Sequence, residues 1–112
     1  MVHPTIYEKL RDVAAKEQVI FYHQVAPLAA LDMSLANDRN QIAGILDEIS
    51  TFEHQRGRPL LSVVVVQVET GRPGKGFYKL ATRLHLFSGK SDVDEMEFFV
   101  ATAKLAYSTW KT

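Results

Sequence analysis

The sequence contains no cysteine, and this absence excludes several kinds of chemistry at once. Disulfide bridges, thiol nucleophiles and thiolate metal ligands all require a cysteine sulfur. No apolar stretch approaches the roughly 20 residues that a helix needs to cross a bilayer. The N-terminal segment also lacks a basic region followed by an apolar one, so we expect no secretory signal. The chain is therefore predicted to be cytoplasmic, without a membrane partner.

Motifs that would identify an enzyme are missing as well. His23, His54 and His85 are scattered and form no HExxH motif or i, i+4 pair. Ser62 does not stand in a Gly-x-Ser-x-Gly elbow. Residues 71–76 do not form a P-loop, because only two residues separate the first glycine from the Gly-Lys pair. We therefore expect no cofactor, no metal and no catalytic residue.

What the sequence does contain is a strongly apolar stretch at residues 60–66, with four consecutive valines. β-branched residues favour extended backbone, and a continuous apolar run is typical of a strand covered on both faces. A turn rich in glycine, with one proline, follows at residues 70–76. The chain of 112 residues is long enough for one modest core, so we predict a single domain over residues 1–112.

Apolar periodicity predicts helices around that strand, with an extended segment at residues 19–21 that can pair with it. This is an α+β fold with about five helices and a two- or three-stranded sheet. The predicted helices span residues 6–17, about 24–31, 41–54, about 77–87, and 91 to the C-terminus.

Several residues are predicted to begin or end these helices. Thr5 and Glu8 have the spacing of a capping box, and Ser91 precedes an acidic first turn. Polar residues of the turn before the third helix (Asn37, Asp38, Asn40) are candidate caps. Gly57 is expected to stop that helix in the left-handed conformation. Gly44, inside the helix, suggests a close neighbour.

Positive charge is concentrated in one segment although the net charge is zero. Residues 53–90 carry +5, whereas residues 1–52 carry −3 and residues 91–112 carry −2. Such a cluster beside a Gly-Pro turn can face an anion, or it can simply be a solvated surface. The carboxylates Asp47, Glu48 and Glu53 show no catalytic spacing, and we expect them on the solvated face of their helix.

The order of elements is that of a winged helix, in which the third helix usually enters the major groove of DNA. Residues 19–76 also resemble the DNA-binding domain of alkylguanine-DNA alkyltransferases and alkyltransferase-like proteins. In that family an apolar segment leads into Thr-Tyr-Gly-Glu-Val-Ala, and residues 21–26 here are Phe-Tyr-His-Gln-Val-Ala. Arg39 precedes an apolar helix face containing alanine and glycine, as the family's arginine does.

The resemblance implies DNA binding without alkyl transfer, because the family's reactive Pro-Cys-His-Arg is absent and no other cysteine is present. The alkyltransferase-like relatives bind damaged DNA through a pocket and an arginine, and only Arg39 matches that arginine. The Arg-Pro-Leu-Leu-Ser-x-Val-Val and Pro-Gly-Lys-Gly-Phe stretches also resemble small bacterial proteins of unknown function. That second resemblance implies no activity.

Two functions follow as hypotheses. In the first, the chain is a non-enzymatic, winged-helix-like module that binds duplex DNA or another polyanion. Arg39 and Gln41 would contact bases or backbone, while Arg72, Lys75 and Lys79 would hold phosphate. In the alternative, it is a protein–protein interaction or dimerisation module that docks through Tyr107 and Trp110 of the last helix. Those two aromatic residues could instead close the core.

Overall fold

The apolar segment at residues 60–66 lies at the centre of the computed structural model, which describes residues 1–111. No side chain in this segment is more than 5% exposed. It begins as a 3-10 turn, Leu61–Val64, and only Val65–Val66 forms a strand. The prediction that both faces are covered is therefore confirmed, but the strand is shorter than predicted.

Five α-helices within residues 1–111 surround this segment, and two short strands complete the fold. The helices are α1 (Pro4–Ala15), α2 (Tyr22–Val25), α3 (Ala36–Gln55), α4 (Lys75–Arg83) and α5 (Asp92–Trp110). A second 3-10 turn, Ala26–Ala29, continues from α2. The strands are β1 (Ile20–Phe21) and β2 (Val65–Val66).

The sheet consists of β1 and β2 paired in parallel, with Ile20 opposite Val65 and Phe21 opposite Val66. The predicted pairing of the early extended segment with the valine run is thus confirmed, as is the α+β class. A wing is an antiparallel hairpin, whereas the turn after β2 leads into α4. The sheet itself therefore does not establish a winged helix.

Helix α1 begins two residues earlier than predicted, because His3 caps it. The His3 Nδ1 atom accepts a hydrogen bond from the Ile6 N–H at 3.2 Å, and Pro4 occupies the first helical position. The prediction of a capping box at Thr5 and Glu8 is therefore wrong. The helix buries the apolar face that was predicted from its periodicity, namely Ile6, Leu10, Val13 and Ala14.

Helix α3 begins at Ala36, five residues before its predicted start. Asn37, Asp38 and Asn40 consequently lie inside the helix and do not cap it. The Asp38 carboxylate instead accepts a hydrogen bond from the Asp32 N–H at 2.9 Å, which ties the preceding turn to the first turn of the helix. The predicted close neighbour of Gly44 is absent among residues 1–111, since nothing beyond its two chain neighbours and the adjacent backbone of its own helix lies within 4 Å of a Cβ built there.

The ends of the later helices differ in how well the sequence predicted them. Gly57 adopts the left-handed φ of +72° expected after α3. Helix α4 ends at Arg83, because His85 adopts a φ of +62° and the Leu86 N–H donates back to the Ala81 carbonyl at 2.9 Å. The predicted cap of α5 is confirmed, since Ser91 Oγ accepts from the Asp94 N–H at 3.1 Å.

Glu53 is fully buried, which corrects the prediction that it lies on a solvated face. Its carboxylate accepts hydrogen bonds from the Tyr7 hydroxyl and from Nε of Arg58, and Arg58 Nη2 lies 3.3 Å from Oε1. Burial, together with the hydrogen bond to Glu53, raises the pKa of Tyr7. Tyr7 comes from α1 and Arg58 from the loop after α3, so this cluster joins distant parts of the chain.

None of the helices formed by residues 1–111 is long and apolar enough to cross a membrane.

The Tyr7–Glu53–Arg58 cluster gives a stability prediction. We expect Glu53→Gln to lower the free energy of unfolding by about 3 kcal/mol, because it leaves the Arg58 charge without its buried partner. Urea denaturation measures this loss. Glu48→Gln is a matched control on the same helix, where the half-exposed carboxylate meets only the N-terminal amine, and it should cost less than about 0.5 kcal/mol. Equal losses in the two variants would contradict the assignment.

Candidate functional site

The N-terminal halves of α3 and α4 border a cleft of about 370 Å³, which we call the central cleft. Its apolar surface comes from Met33, Ala43, Leu46 and Phe77. Its polar side chains and glycines come from α2, α3, the 3-10 turn before β2, the turn after β2, and α4. They are Tyr22, Arg39, Asp47, Ser62, Gln67, Gly74, Lys75 and Gly76. Two of the five predicted binding residues, Arg39 and Lys75, therefore meet in one cleft.

Neither of these two cations is neutralised by a carboxylate of residues 1–111. Both residues are exposed, and neither makes a salt bridge within 4.0 Å in that part of the chain. Arg39 Nη1 donates to the Met33 carbonyl at 2.9 Å, which holds the guanidinium against the turn before α3. The rim of the central cleft thus carries two positive charges that remain available to an anion.

The turn between β2 and α4 positions the first turn of α4 against this cleft. The Gln67 N–H donates to the Arg72 carbonyl at 2.9 Å, and Gly71 completes the turn with a φ of +68°. Gly74 then caps α4 without a side chain, while its N–H donates to the Tyr22 hydroxyl at 3.0 Å. A Cβ at this position would approach that hydroxyl to 3.2 Å, so glycine permits the close approach.

Asp47 supplies negative charge to the same cleft. Its carboxylate lies 3.3 Å from Nη2 of Arg83. Burial nevertheless raises the pKa of Asp47, and the neighbouring Arg83 only partly opposes this effect. The central cleft therefore combines two unpaired cations with one carboxylate that is costly to keep ionised.

A second cleft, of about 510 Å³, lies along the exposed side of α4, and we call it the outer cleft. It is lined by Lys75, Tyr78, Lys79, Thr82, Arg83, Phe87, Gly89 and Glu95. Lys79 is exposed and, like Lys75, makes no salt bridge within residues 1–111. The structure thus places Lys79 one helical turn from Lys75 but on a neighbouring cleft.

The other two predicted binding residues line neither cleft. Arg72 forms an ion pair with Asp92 at 3.1 Å and is only 23% exposed, so its charge ties the turn to the start of α5. Gln41 is exposed on α3, within the helix and not at its start.

Tyr107 and Trp110, predicted as residues that either dock a partner or close the core, both contact the rest of the chain. The Tyr107 hydroxyl donates to the Gln18 carbonyl at 3.0 Å. Trp110 packs edge-on against Tyr7, and the Arg11 guanidinium lies 4.7 Å from the centre of its ring. Both side chains are half-buried, so they close the gap between α5 and α1.

Within residues 1–111, no three side chains of the metal-ligating types come together as a metal site would require. Comparison with protein-family models, curated proteins and solved structures finds no significant match. The resemblance to alkyltransferase-like proteins accordingly stays a prediction.

Tyr22, Asp47, Gln67 and Phe77 line the central cleft although they are not among the binding residues predicted from the sequence. For Asp47 a signal was present, because it lies eight residues after Arg39 and so falls on the same face of one helix. The predicted start of that helix at residue 41 left Arg39 outside it and concealed this relation. Tyr22 and Gln67 reach the cleft only through tertiary packing.

Tyr78 in the wall of the outer cleft gives a second stability prediction. Its hydroxyl oxygen is buried and has no hydrogen-bond partner among residues 1–111, and burial, followed by the charge of Glu95, raises its pKa to about 12. An unsatisfied buried hydroxyl costs on the order of 1 kcal/mol or more. We therefore expect Tyr78→Phe to raise the free energy of unfolding by about 1 kcal/mol in urea denaturation.

Tyr107→Phe is the matched control, because it removes a hydroxyl that does make a hydrogen bond. We expect it to lower stability by roughly 0.5 kcal/mol. Destabilisation by Tyr78→Phe of the same size would show that the Tyr78 hydroxyl has a favourable partner.

Proposed function

We propose that this chain is a non-enzymatic module that binds a polyanion, namely nucleic acid, along the rim of the central cleft. The observation that carries the proposal is that Arg39 and Lys75, 36 positions apart in sequence, border one cleft without a carboxylate partner in residues 1–111. Lys79, one turn further along α4, adds an unpaired cation in the neighbouring outer cleft. A row of cations beside concave surface attracts phosphates from solution.

The arrangement of α2 and α3 supports nucleic acid as the polyanion. Helix α2, the 3-10 turn and α3 follow one another in the order of a helix-turn-helix, and Arg39 lies in the first turn of α3, where such motifs contact DNA. This order of helices is the part of the winged-helix likeness that supports the proposal. The first half of α3 is exposed at most positions, including Ala36, Asn40 and Gly44, so a ligand can approach it.

A second candidate, self-association or protein binding through α5, has its own support. Val93, Met96 and Val100 are between 40% and 63% exposed and follow one helix face. These side chains, more than Tyr107 and Trp110, would form such a contact.

The proposed function gives a salt-dependence prediction. We expect labelled nucleic acid to bind the wild-type chain with an affinity that falls steeply as salt rises, because bound phosphates release counterions. The double variant Arg39→Gln with Lys75→Gln should bind about tenfold or more weakly at low salt. The slope of the logarithm of affinity against the logarithm of salt concentration should become shallower by about two. Fluorescence anisotropy across a salt series measures both effects.

Lys9→Gln with Lys104→Gln is the matched control, since it removes two exposed lysines of α1 and α5 that line neither cleft. It has the same net charge as the test variant and should bind almost as well as wild type. Equal losses in both double variants would contradict a site at the central cleft. No binding at the lowest salt, together with a dimer in analytical ultracentrifugation, would favour the second candidate.

Asp47 gives a prediction with a pH dependence. Asp47→Asn removes the negative charge from the central cleft and frees Arg83, so we expect polyanion affinity near neutral pH to rise by roughly twofold or more. Because burial raises the pKa of Asp47, the wild-type carboxyl takes up its proton earlier on acidification than an exposed aspartate does. The affinity advantage of Asp47→Asn should therefore shrink as pH falls through that pKa.

Anisotropy titrations of both proteins at a series of pH values measure this difference. Asp12→Asn is the control, since that carboxylate pairs with Lys16 on α1. An advantage of Asp47→Asn that stayed constant through the acidic range would show that the Asp47 charge does not act on the bound polyanion.

A further inference from the structure

Lys75 borders both clefts, and this position has a consequence for the shape of the ligand. The central cleft has a volume of about 370 Å³ and the outer cleft one of about 510 Å³, and this lysine is a lining residue of each. A ligand that fills both clefts would place the chemical group that joins its two parts beside Lys75. That joining group would then carry the negative charge.

Each cleft also presents one half-buried aromatic ring. Tyr22 lines the central cleft, and Phe87 lines the outer cleft. Phe87 is held in place by the rings of Tyr78 and Phe98, at centroid distances of 5.7 and 5.0 Å. Aromatic side chains flanking a cationic groove are the usual means by which proteins hold unpaired bases, because every base has a face that can stack.

The charges that line the clefts indicate where a phosphate would lie. The Asp47 carboxylate of the central cleft is already paired with Arg83 at 3.3 Å, and the outer cleft has one carboxylate, Glu95. Lys75 lines both clefts, while Arg39 and Lys79 each line one of them without a salt bridge in residues 1–111. Phosphates are attracted to these three cations, and the apolar and aromatic surfaces of the clefts are left for uncharged, flat groups.

We propose that the polyanion is a single-stranded nucleic acid, with two neighbouring bases in the two clefts and their connecting phosphate at Lys75. The inference rests on the proposed function and narrows it, because the paired and stacked bases of a duplex cannot enter separate clefts without being unstacked. Arg39 and Lys79 contact the phosphates on either side.

The test uses the wild-type chain and one labelled DNA strand of mixed sequence without self-complementarity. Its affinity is measured by anisotropy, alone and after annealing to its complement. We expect the single strand to bind about tenfold or more tightly than the duplex at the same salt. Equal or tighter binding of the duplex would overturn the inference and leave the proposed function intact. Absence of binding to both would overturn the two together.

Glycine amides allow the two clefts to be followed separately without any mutation. In ¹H–¹⁵N spectra titrated with the single strand, the resonances of Gly76 in the central cleft and Gly89 in the outer cleft should both shift. The resonance of Gly57, in the loop after α3 and in neither cleft, should stay in place. A shift confined to one of the two clefts would contradict the placement of neighbouring bases.

A variant pair tests the stacking contribution. Phe87→Leu removes the accessible ring of the outer cleft and should weaken single-strand binding by about tenfold, with little effect on any residual duplex binding. Phe52→Leu is the control, since that ring packs against Tyr7, away from both clefts. Thermal melts show whether each variant is folded. A folded Phe87→Leu variant with wild-type affinity for the single strand would count against the inference.

Discussion

The burial of residues 60–66 on every side is the constraint on which the rest of the structure depends. A buried backbone needs hydrogen-bond partners inside the protein. The segment finds them in a parallel ladder with β1, in a 3-10 turn whose Val63 N–H donates to the Leu60 carbonyl at 3.2 Å, and in the Ser50 hydroxyl, which accepts from the Ser62 N–H at 3.0 Å. Helices α1, α3 and α5 pack against it. Because the chain leaves this segment through one tight turn, the start of α4 is held beside α3, and the central cleft results.

The sequence predicted helix ends and buried faces well where they depend on neighbouring residues of the same helix. Ser91 caps α5, Gly57 stops α3, and the apolar face of α1 is the buried one. The predictions failed where the cap or the stop was unusual. His3 caps α1 in place of Thr5, and three non-glycine residues with positive φ, Glu17, Ala30 and His85, lie at or just beyond helix ends. Non-glycine residues adopt this conformation at a cost of about 1–2 kcal/mol, so their residue types did not predict that the helices end there.

The candidate site was predictable only in part, for a different reason. A sequence shows which residues carry charge, but pairing decides which charges remain available. Arg72 and Lys75 are three positions apart in one basic turn, yet Arg72 pairs with Asp92 and Lys75 does not pair within residues 1–111. Glu53 has the sequence pattern of an ordinary surface carboxylate, yet Tyr7, 46 positions away on α1, and Arg58, in the loop after α3, both bind it. Pairing of this kind is a tertiary property and leaves no periodic signal.

Charge pairing also explains how a chain with zero net charge can offer a positive surface. Interactions between exposed charges are screened over about 10 Å at ordinary salt, so a phosphate senses the rim it touches more than the total charge of the molecule. Many of the carboxylates are already engaged, for example Asp12 with Lys16, Glu17 with Lys111 and Asp92 with Arg72. Arg39, Lys75 and Lys79 are left beside two clefts. Overall neutrality therefore limits nonspecific attraction at long range, and it makes any binding depend on the shape of the clefts as well as on charge.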